Sequence, residues 1–322
     1  MKKIYLFFIF SFFYTAMIFG VEPIHSLEEI KPVLDSLDRN SLLVLDYDYT
    51  LCVMKDQILR FITGGSIFSD AYSSEDRLFL HNSAKDFAKL MSHDDFKKLV
   101  FYSLDSFIEG CALQMIRDLL SRGVRVLILT SIDTRPIDRV FFPNAQFNNF
   151  VEKRYFELNR LGLDLSVSFP DIKRGMLFNK KSLFDGKRTG FPYLFGGVLG
   201  TGGNAKGVVL KEFIGWFQST FNSAISRIVF VDDKLENCDE FEKTFKDSGR
   251  EVKTFFYHFC NRSKVNREKI EYQLFMIQAQ RIYLREDDIN LEEILKNEAF
   301  KTWQSVQRVC ENMENVSLLG IL

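Results

Sequence analysis

The stretch Ser41-Leu42-Leu43-Val44-Leu45-Asp46-Tyr47-Asp48-Tyr49-Thr50 decides the fold. Residues 42–45 form a short apolar run, which is typical of a strand buried on both faces of a parallel sheet. The run ends at Asp46, and a second carboxylate, Asp48, follows two residues later. The pattern predicts a buried strand that presents two acidic side chains at its carboxyl end.

Two further apolar runs end in polar residues. Residues 124–129 lead to Thr130, and residues 228–231 lead to Asp232 and Asp233. The other predicted core elements are helices over 24–39, 112–122 and 205–221 and a strand over 251–257. This alternation predicts an α/β fold with a doubly wound, mostly parallel sheet. In such a sheet, ligands bind at the carboxyl edge of the strands.

Three segments extend this core, which is predicted over residues 21–263. Residues 54–105 have a mixed polar and apolar pattern that indicates a modest, mostly helical insertion. Residues 172–203 contain short apolar pieces between glycines and indicate a β-hairpin insertion. Residues 264–322 follow a helical pattern and form a predicted C-terminal extension.

The composition is that of a globular protein. The chain has 322 residues, 46% of them hydrophobic, with 42 Lys and Arg against 43 Asp and Glu. A net charge of −1 argues against a nucleic-acid partner, which favours a strongly basic surface. Five cysteines in this length are too few for a disulfide scaffold.

The N-terminus has the pattern of a targeting segment. Lys2 and Lys3 precede an apolar run over residues 4–19, and Gly20 supplies a small residue at its end. This pattern predicts a signal peptide over residues 1–20 and an exported protein, either periplasmic or secreted. An uncleaved anchor in the inner membrane, with the rest of the chain facing outward, is the alternative. Membrane contact is otherwise expected only during export.

The paired carboxylates suit phosphoryl transfer to a carboxylate. Asp46 is the candidate nucleophile, because a carboxylate can attack phosphorus and form an aspartyl-phosphate. Asp48 is the candidate acid that protonates the leaving oxygen and then takes a proton from water. Two neighbouring carboxyl groups favour different proton affinities, which suits one nucleophile and one acid. The expected substrate is a small phosphorylated molecule.

The remaining candidates would bind a cation and the phosphoryl group. Mg²⁺ prefers carboxylate and water oxygens. Its expected ligands are Asp46, the backbone carbonyl of Asp48, and Asp232. Asp233 is expected to bind the cation through water or to orient Lys206. The Thr130 hydroxyl and the Lys206 ammonium are expected to contact the phosphoryl oxygens.

The sequence resembles the haloacid dehalogenase (HAD) superfamily in four motifs. They are Leu43-Val44-Leu45-Asp46-Tyr47-Asp48-Tyr49-Thr50, Leu127-Ile128-Leu129-Thr130, Asn204-Ala205-Lys206-Gly207 and Val229-Phe230-Val231-Asp232-Asp233, in the order that the superfamily has. The resemblance spans about residues 40–260 and is nearest to a group of exported bacterial HAD-like proteins. It implies the HAD-like fold, a modest helical cap formed by about residues 54–105, a Mg²⁺-dependent phosphatase and the residue roles given above. Asp48 favours a phosphatase over the dehalogenase branch, which lacks an acid at that position.

Alternatives remain open at this stage. Ser131 competes with Thr130, and Lys211 competes with Lys206, for the same roles. Asp233 is also a candidate helix cap. The alternative function is a non-catalytic binding module, exported or tethered to the membrane, on a HAD scaffold. Phosphotransfer to an organic acceptor instead of water is a third possibility.

Overall fold

A computed structural model of the protein describes residues 20–64, 72–172, 175–184, 186, 189–258, 265–280, 284–285 and 288–305. Within them the chain forms two compact units. The first comprises the described residues of 20–53 and 106–258. The second comprises those of 54–105 and 265–305.

Ten strands lie in the described part of the chain. They are β1 (Glu22–Ile24), β2 (Ser41–Leu45), β3 (Cys52–Met54), β4 (Asp105–Phe107), β5 (Arg125–Thr130), β6 (Met176–Leu177), β7 (Tyr193–Phe195), β8 (Val198–Gly200), β9 (Arg227–Asp232) and β10 (Glu251–Tyr257). Eight of them form one sheet in the order β1-β10-β9-β2-β5-β8-β7-β6, and β3 pairs with β4. In the large sheet only the pairs β6–β7 and β7–β8 are antiparallel. The predicted α/β fold with a mostly parallel central sheet is confirmed.

Helices make up most of the other regular structure in the described residues. They are α1 (Lys31–Asp35), α2 (Gln57–Gly64), α3 (Ser74–Leu90), α4 (His93–Tyr102), α5 (Ala112–Ser121), α6 (Phe150–Arg160), α7 (Lys206–Phe221), α8 (Leu235–Phe245), α9 (Arg267–Gln280) and α10 (Leu291–Lys296). Residues 298–305 are also helical. The predicted helices over 112–122 and 205–221 correspond to α5 and α7.

The central strands are apolar because both of their faces are covered. All five residues of β2 are buried. Leu42 and Val44 belong to a core that also contains side chains of β5, β9, α7 and α8. Phe230 of β9 stacks on Phe241 of α8 with ring centroids 4.1 Å apart. This burial of apolar surface fixes β2 and β9 side by side, and therefore fixes the acidic residues that follow them.

The helix predicted over residues 24–39 is wrong in its first half. Glu22–Ile24 is a strand that pairs in parallel with β10. A 3₁₀ turn follows over Leu27–Ile30, capped by the Ser26 side chain. A separate short helix, α1, then begins, with Pro32 in its first turn. Pro is favoured there because its missing N–H is not needed by the helix.

The predicted hairpin segment, residues 172–203, extends the central sheet. β6 and β7 are antiparallel, β7 and β8 are antiparallel, and β8 then pairs in parallel with β5. Gly196 and Gly197 join β7 to β8 with φ angles of 53° and 83°. Residues with a Cβ rarely adopt these angles. The segment thus contributes a strand whose carboxyl end lies at the same edge as that of β5.

The second unit is helical. Residues 54–105 supply α2, α3 and α4, and the C-terminal part supplies α9, α10 and residues 298–305. The sequence pattern predicts these two segments as separate regions, whereas the structure places them in one unit. Whether this unit acts as a cap stays a prediction.

Among the described residues, no helix combines the length and the apolar character that crossing a membrane requires. The predicted leader, apart from Gly20, lies outside the described residues.

Candidate active site

The candidate residues meet at the carboxyl edge of the large sheet. Leu45 of β2 pairs with Ile128 of β5 on one side and with Val231 of β9 on the other. Asp46 follows directly, and its backbone N–H donates to the Val231 carbonyl, with N and O 2.9 Å apart. Asp232 ends β9 at the same level. Strand register, which follows from the apolar pattern, therefore brings the two aspartates together.

Lys206 links these two aspartates. Its Nζ lies 2.5 Å from Asp46 Oδ1 and 2.6 Å from Asp232 Oδ2. The Lys206 side chain is 2% exposed and that of Asp232 is 0% exposed. Charge-assisted hydrogen bonds of this kind are among the strong ones in proteins. The ammonium thus holds both carboxylates in a site that excludes most water.

A glycine turn places Lys206 at the first position of α7. Gly202 and Gly203 precede it with φ angles of 58° and 73°. A Cβ at Gly202 would collide with the Gly190 carbonyl oxygen, so the turn needs glycine there. Ala205 is the N-cap residue and offers no side-chain cap. The helix therefore starts deep in the site.

Both oxygens of Asp232 are engaged. Oδ2 contacts Lys206, while Oδ1 accepts hydrogen bonds from the Lys234 backbone N–H and from Asn237 Nδ2, each at 2.9 Å. These contacts fix the carboxylate plane from three directions. Asn237, on α8, is thus a supporting residue for Asp232.

Asp233 differs from its neighbour. Both of its carboxylate oxygens are buried without a hydrogen-bond partner. Burial, together with the nearby charge of Asp232, raises the pKa of Asp233 to about 6. Buried polar atoms without partners are rare in proteins, and each one needs a physical reason.

Burial also governs the charges of the other two groups. Removal from water raises the pKa of Asp46 well above its usual range, against the attraction of Lys206. Burial alone would lower the pKa of Lys206, but Asp46 and Asp232 outweigh it and raise that pKa. Lys206 therefore stays charged, and it is the ionised form of Asp46 that needs further support.

The three carboxylates fit a divalent cation. Ligand oxygens of Asp46, Asp232 and Asp233 lie within 4.8 Å of one another. Three carboxylates and one ammonium give a formal charge of −2 when all are ionised. The unpaired oxygens of Asp233 and the all-oxygen donor set suit a hard ion such as Mg²⁺. Three of the predicted metal ligands, Asp46, Asp232 and Asp233, are thus brought together. The fourth, Asp48, lies two residues after Asp46 in the chain.

Asp48 is held in a tight loop after β2. Tyr49 has a φ of 64°, which is uncommon for a residue with a large side chain. Its backbone N–H donates to the Cys52 carbonyl at 2.9 Å, and the Cys52 N–H donates to the Tyr47 carbonyl at 2.8 Å. The loop is therefore closed on itself. The Asp48 carboxylate forms an ion pair with Arg154, with Oδ1 and Nη2 2.7 Å apart.

Several hydroxyl groups lie among the strand ends. Thr130 ends β5 and is 1% exposed. Its carbonyl accepts a hydrogen bond from the Thr201 N–H at 2.8 Å, which ties the ends of β5 and β8 together. The hydroxyls of Thr50 and Thr201 are buried without a hydrogen-bond partner. Such groups are candidate donors to an anion at this edge.

Comparison with known proteins identifies a family. A family model described as a protein of unknown function, DUF2608, matches residues 23–301. The chain belongs to this family. The match includes all six candidate residues, and the DUF2608 description assigns them no activity. Comparisons with curated proteins and with solved structures give no match.

Two residues at this site of the DUF2608 protein were not predicted from the sequence. Thr201 was detectable in principle, because it follows a short apolar run that ends, like the others, at the carboxyl edge. Arg154 had no local signal. It lies within α6, and its partner Asp48 is 106 positions away in the chain.

The raised pKa of Asp233 predicts how pH affects stability without a cation. Since its folded pKa of about 6 exceeds the ordinary 3.8, its stabilising contribution is complete below pH 3.8 and is lost as the pH rises through 6. With a chelator at pH 8, Asp233→Asn should raise the free energy of unfolding by roughly 2 kcal/mol. Denaturant unfolding at pH 8 and pH 4 measures this.

The same variant tests the cation. Added Mg²⁺ should stabilise the unaltered protein at pH 8 and should stabilise Asp233→Asn much less. Asp35→Asn is the matched control, because Asp35 is exposed and pairs only locally with Lys31. A gain of stability for Asp233→Asn that is equal at both pH values would contradict the charge explanation.

Proposed function

We propose that the protein is a HAD-type phosphohydrolase that cleaves a phosphomonoester through an aspartyl-phosphate intermediate. The observation that carries the proposal is the placement of Asp46. It stands buried at a strand end, contacts Lys206 at 2.5 Å and has the acidic residues 232 and 233 beside it. A second carboxylate, Asp48, follows it on the exposed side.

The proposed reaction has two steps. In the first, an Asp46 oxygen forms a bond to phosphorus, the bond from phosphorus to the leaving oxygen breaks, and Asp48 gives that oxygen a proton. In the second, a water oxygen forms a bond to phosphorus, the bond to Asp46 breaks, and Asp48 takes the proton of the water. The sum is hydrolysis of the ester, with both aspartates restored.

Lys206 and the hydroxyl groups have supporting roles in this proposal. The Lys206 charge favours the ionised nucleophile and the charge that develops on the phosphoryl oxygens. Thr130, which ends β5, would donate a hydrogen bond to those oxygens. Thr50, in the loop after β2, and Thr201, directly after β8, are further candidate donors. Asp46, the Asp48 carbonyl, Asp232 and Asp233 would hold Mg²⁺. When bound, the cation neutralises the phosphate and the carboxylates.

An assay of the full chain tests this function. Hydrolysis of 4-nitrophenyl phosphate should require Mg²⁺ and should stop with excess chelator. An absence of turnover with this substrate and with a panel of small phosphomonoesters, together with no thermal stabilisation by Mg²⁺, would favour the binding-module alternative. Release of phosphate without transfer to added alcohols would separate hydrolysis from phosphotransfer.

We also propose that the protein is exported, on the basis of its N-terminal sequence. The positive pair and the apolar run of residues 4–19 support a leader. N-terminal sequencing of protein recovered from outside the cytoplasm should begin near residue 21. A retained N-terminus in the membrane fraction would support the anchored alternative.

A further inference from the structure

Arg154 approaches the proposed acid and base from within the fold. Its Nη2 lies 2.7 Å from Asp48 Oδ1. The Arg154 side chain is 10% exposed, whereas that of Asp48 is 43% exposed. The guanidinium is therefore the fixed member of the pair, and the carboxylate is the member that faces the entrance of the site.

A stack on an aromatic ring holds Arg154 in place. Its guanidinium carbon lies 4.3 Å from the centroid of the Tyr47 ring, and Tyr47 is fully buried. A cation over an aromatic face is attracted by the negative charge density of the ring face. Tyr47 itself stands between the two proposed catalytic aspartates in the chain. The stack thus ties Arg154 to the same loop that carries Asp48.

The helix that carries Arg154 is also anchored. Asn149 caps α6 by accepting from the Glu152 N–H. The Glu152 carboxylate is buried and accepts from the Asn148 N–H at 2.8 Å and from the Tyr193 hydroxyl at 3.2 Å. These contacts join α6 to β7 of the central sheet. Arg154 therefore extends from a rigid element, which suits a residue that positions another.

Asp48 needs such support. It lies in a loop, and its half-exposed side chain would otherwise exchange between rotamers. General acid and base catalysis requires the carboxylate within hydrogen-bond reach of the reacting oxygen. A planar guanidinium restricts a carboxylate more strongly than an ammonium does, because its donors have a fixed geometry.

We propose that Arg154 is a positioning residue for the reaction, acting through Asp48. It holds the Asp48 carboxylate on the side of Asp46 from which the leaving oxygen departs and water arrives. The inference rests on the proposed function and deepens it. Arg154 itself makes no bond to the reacting atoms in this scheme.

The test compares two substrates of similar shape, phenyl phosphate and 4-nitrophenyl phosphate. Phenol is the weaker acid, so its departure depends more on a positioned proton donor. Arg154→Met should lower kcat/KM for phenyl phosphate by roughly 10- to 100-fold and for 4-nitrophenyl phosphate by clearly less. Arg154→Lys should regain part of the loss. Asp48→Ala should show the same dependence on the leaving group.

A double-mutant cycle separates positioning from a structural role. If Arg154 acts through Asp48, adding Arg154→Met to Asp48→Ala should cause no further loss of kcat/KM. Arg160→Met is the matched control, because Arg160 lies on the same helix and pairs locally with Glu157. Arg160→Met should leave kcat/KM unchanged for both substrates. Thermal melting shows whether each variant is folded. If Arg154→Met is not folded, Arg154→Lys takes its place in the comparison.

Three results would overturn the inference. They are equal losses for both substrates, additive losses in the cycle, and full activity of Arg154→Met. If Asp46 and Asp48 variants lose activity while Arg154 variants do not, only this inference fails. If no turnover depends on Asp46, the proposed function fails and the inference fails with it.

Discussion

Asp46→Asn should lower kcat/KM for 4-nitrophenyl phosphate by at least about 10³-fold, since loss of a covalent nucleophile has effects of this size or larger. An amide is a far weaker nucleophile than a carboxylate toward phosphorus. The fold should survive the change. The amide oxygen can still accept from Lys206 Nζ, which lies 2.5 Å from Asp46 Oδ1, and one buried negative charge is removed.

The intermediate supplies a second readout for Asp46. Acid quenching during turnover of a ³²P-labelled substrate should trap label on the protein, and hydroxylamine should release it, as expected of an acyl phosphate. Asp46→Asn should trap none, and its melting temperature should be no lower than that of the unaltered protein. Label that persists in the variant, or activity above a tenth of the original, would exclude Asp46 as the nucleophile.

The acidic part of the site was predictable because its signals are local. Asp46 and Asp232 each end a buried apolar strand, and parallel strands bring their carboxyl ends to one edge. Asp233 follows from the same pattern. The local pattern does not predict which of these carboxylates has hydrogen-bond partners. That Asp232 is fully hydrogen-bonded while Asp233 has no partner depends on packing against α8.

The features that the sequence did not predict depend on contacts between distant parts of the chain. Arg154 reaches Asp48 only because α6 packs against β7 and β8, and nothing in residues 150–160 marks this. The three-residue strand β1 is too short to show the alternating hydrophobic pattern of a strand. In the second unit, Arg267 pairs with Asp76 at 2.8 Å, a contact between segments that the sequence presents as separate regions.

Lys206 is the other residue whose removal should have a large effect, in this case on stability. Lys206→Met keeps most of the length of the side chain but leaves Asp46 and Asp232 without their shared counter-charge. Removing one partner of a buried ion pair costs about 3–5 kcal/mol. The free energy of unfolding, measured with denaturant and a chelator at pH 7.5, should fall by about that amount. Lys211→Met is the control, because Lys211 is an exposed residue of the same helix.

The pH dependence of this loss identifies its cause. Burial already raises the pKa of Asp46, and without Lys206 that pKa should rise further. A raised folded pKa means that stability is retained at low pH and lost as the pH increases. The deficit of Lys206→Met should therefore be smaller at pH 5 than at pH 8. A deficit independent of pH would indicate lost packing instead of unbalanced charge.

A compensating variant tests the same electrostatic cause. If the deficit comes from excess negative charge, adding Asp46→Asn to Lys206→Met should restore at least half of the lost free energy of unfolding. Replacing both members of a buried pair is often neutral, whereas replacing one is not. Mg²⁺ should stabilise Lys206→Met more than it stabilises the unaltered protein, because the cation then replaces the shared positive charge that Lys206 supplied. A double variant less stable than Lys206→Met would show that the Asp46 carboxylate stabilises the site by itself.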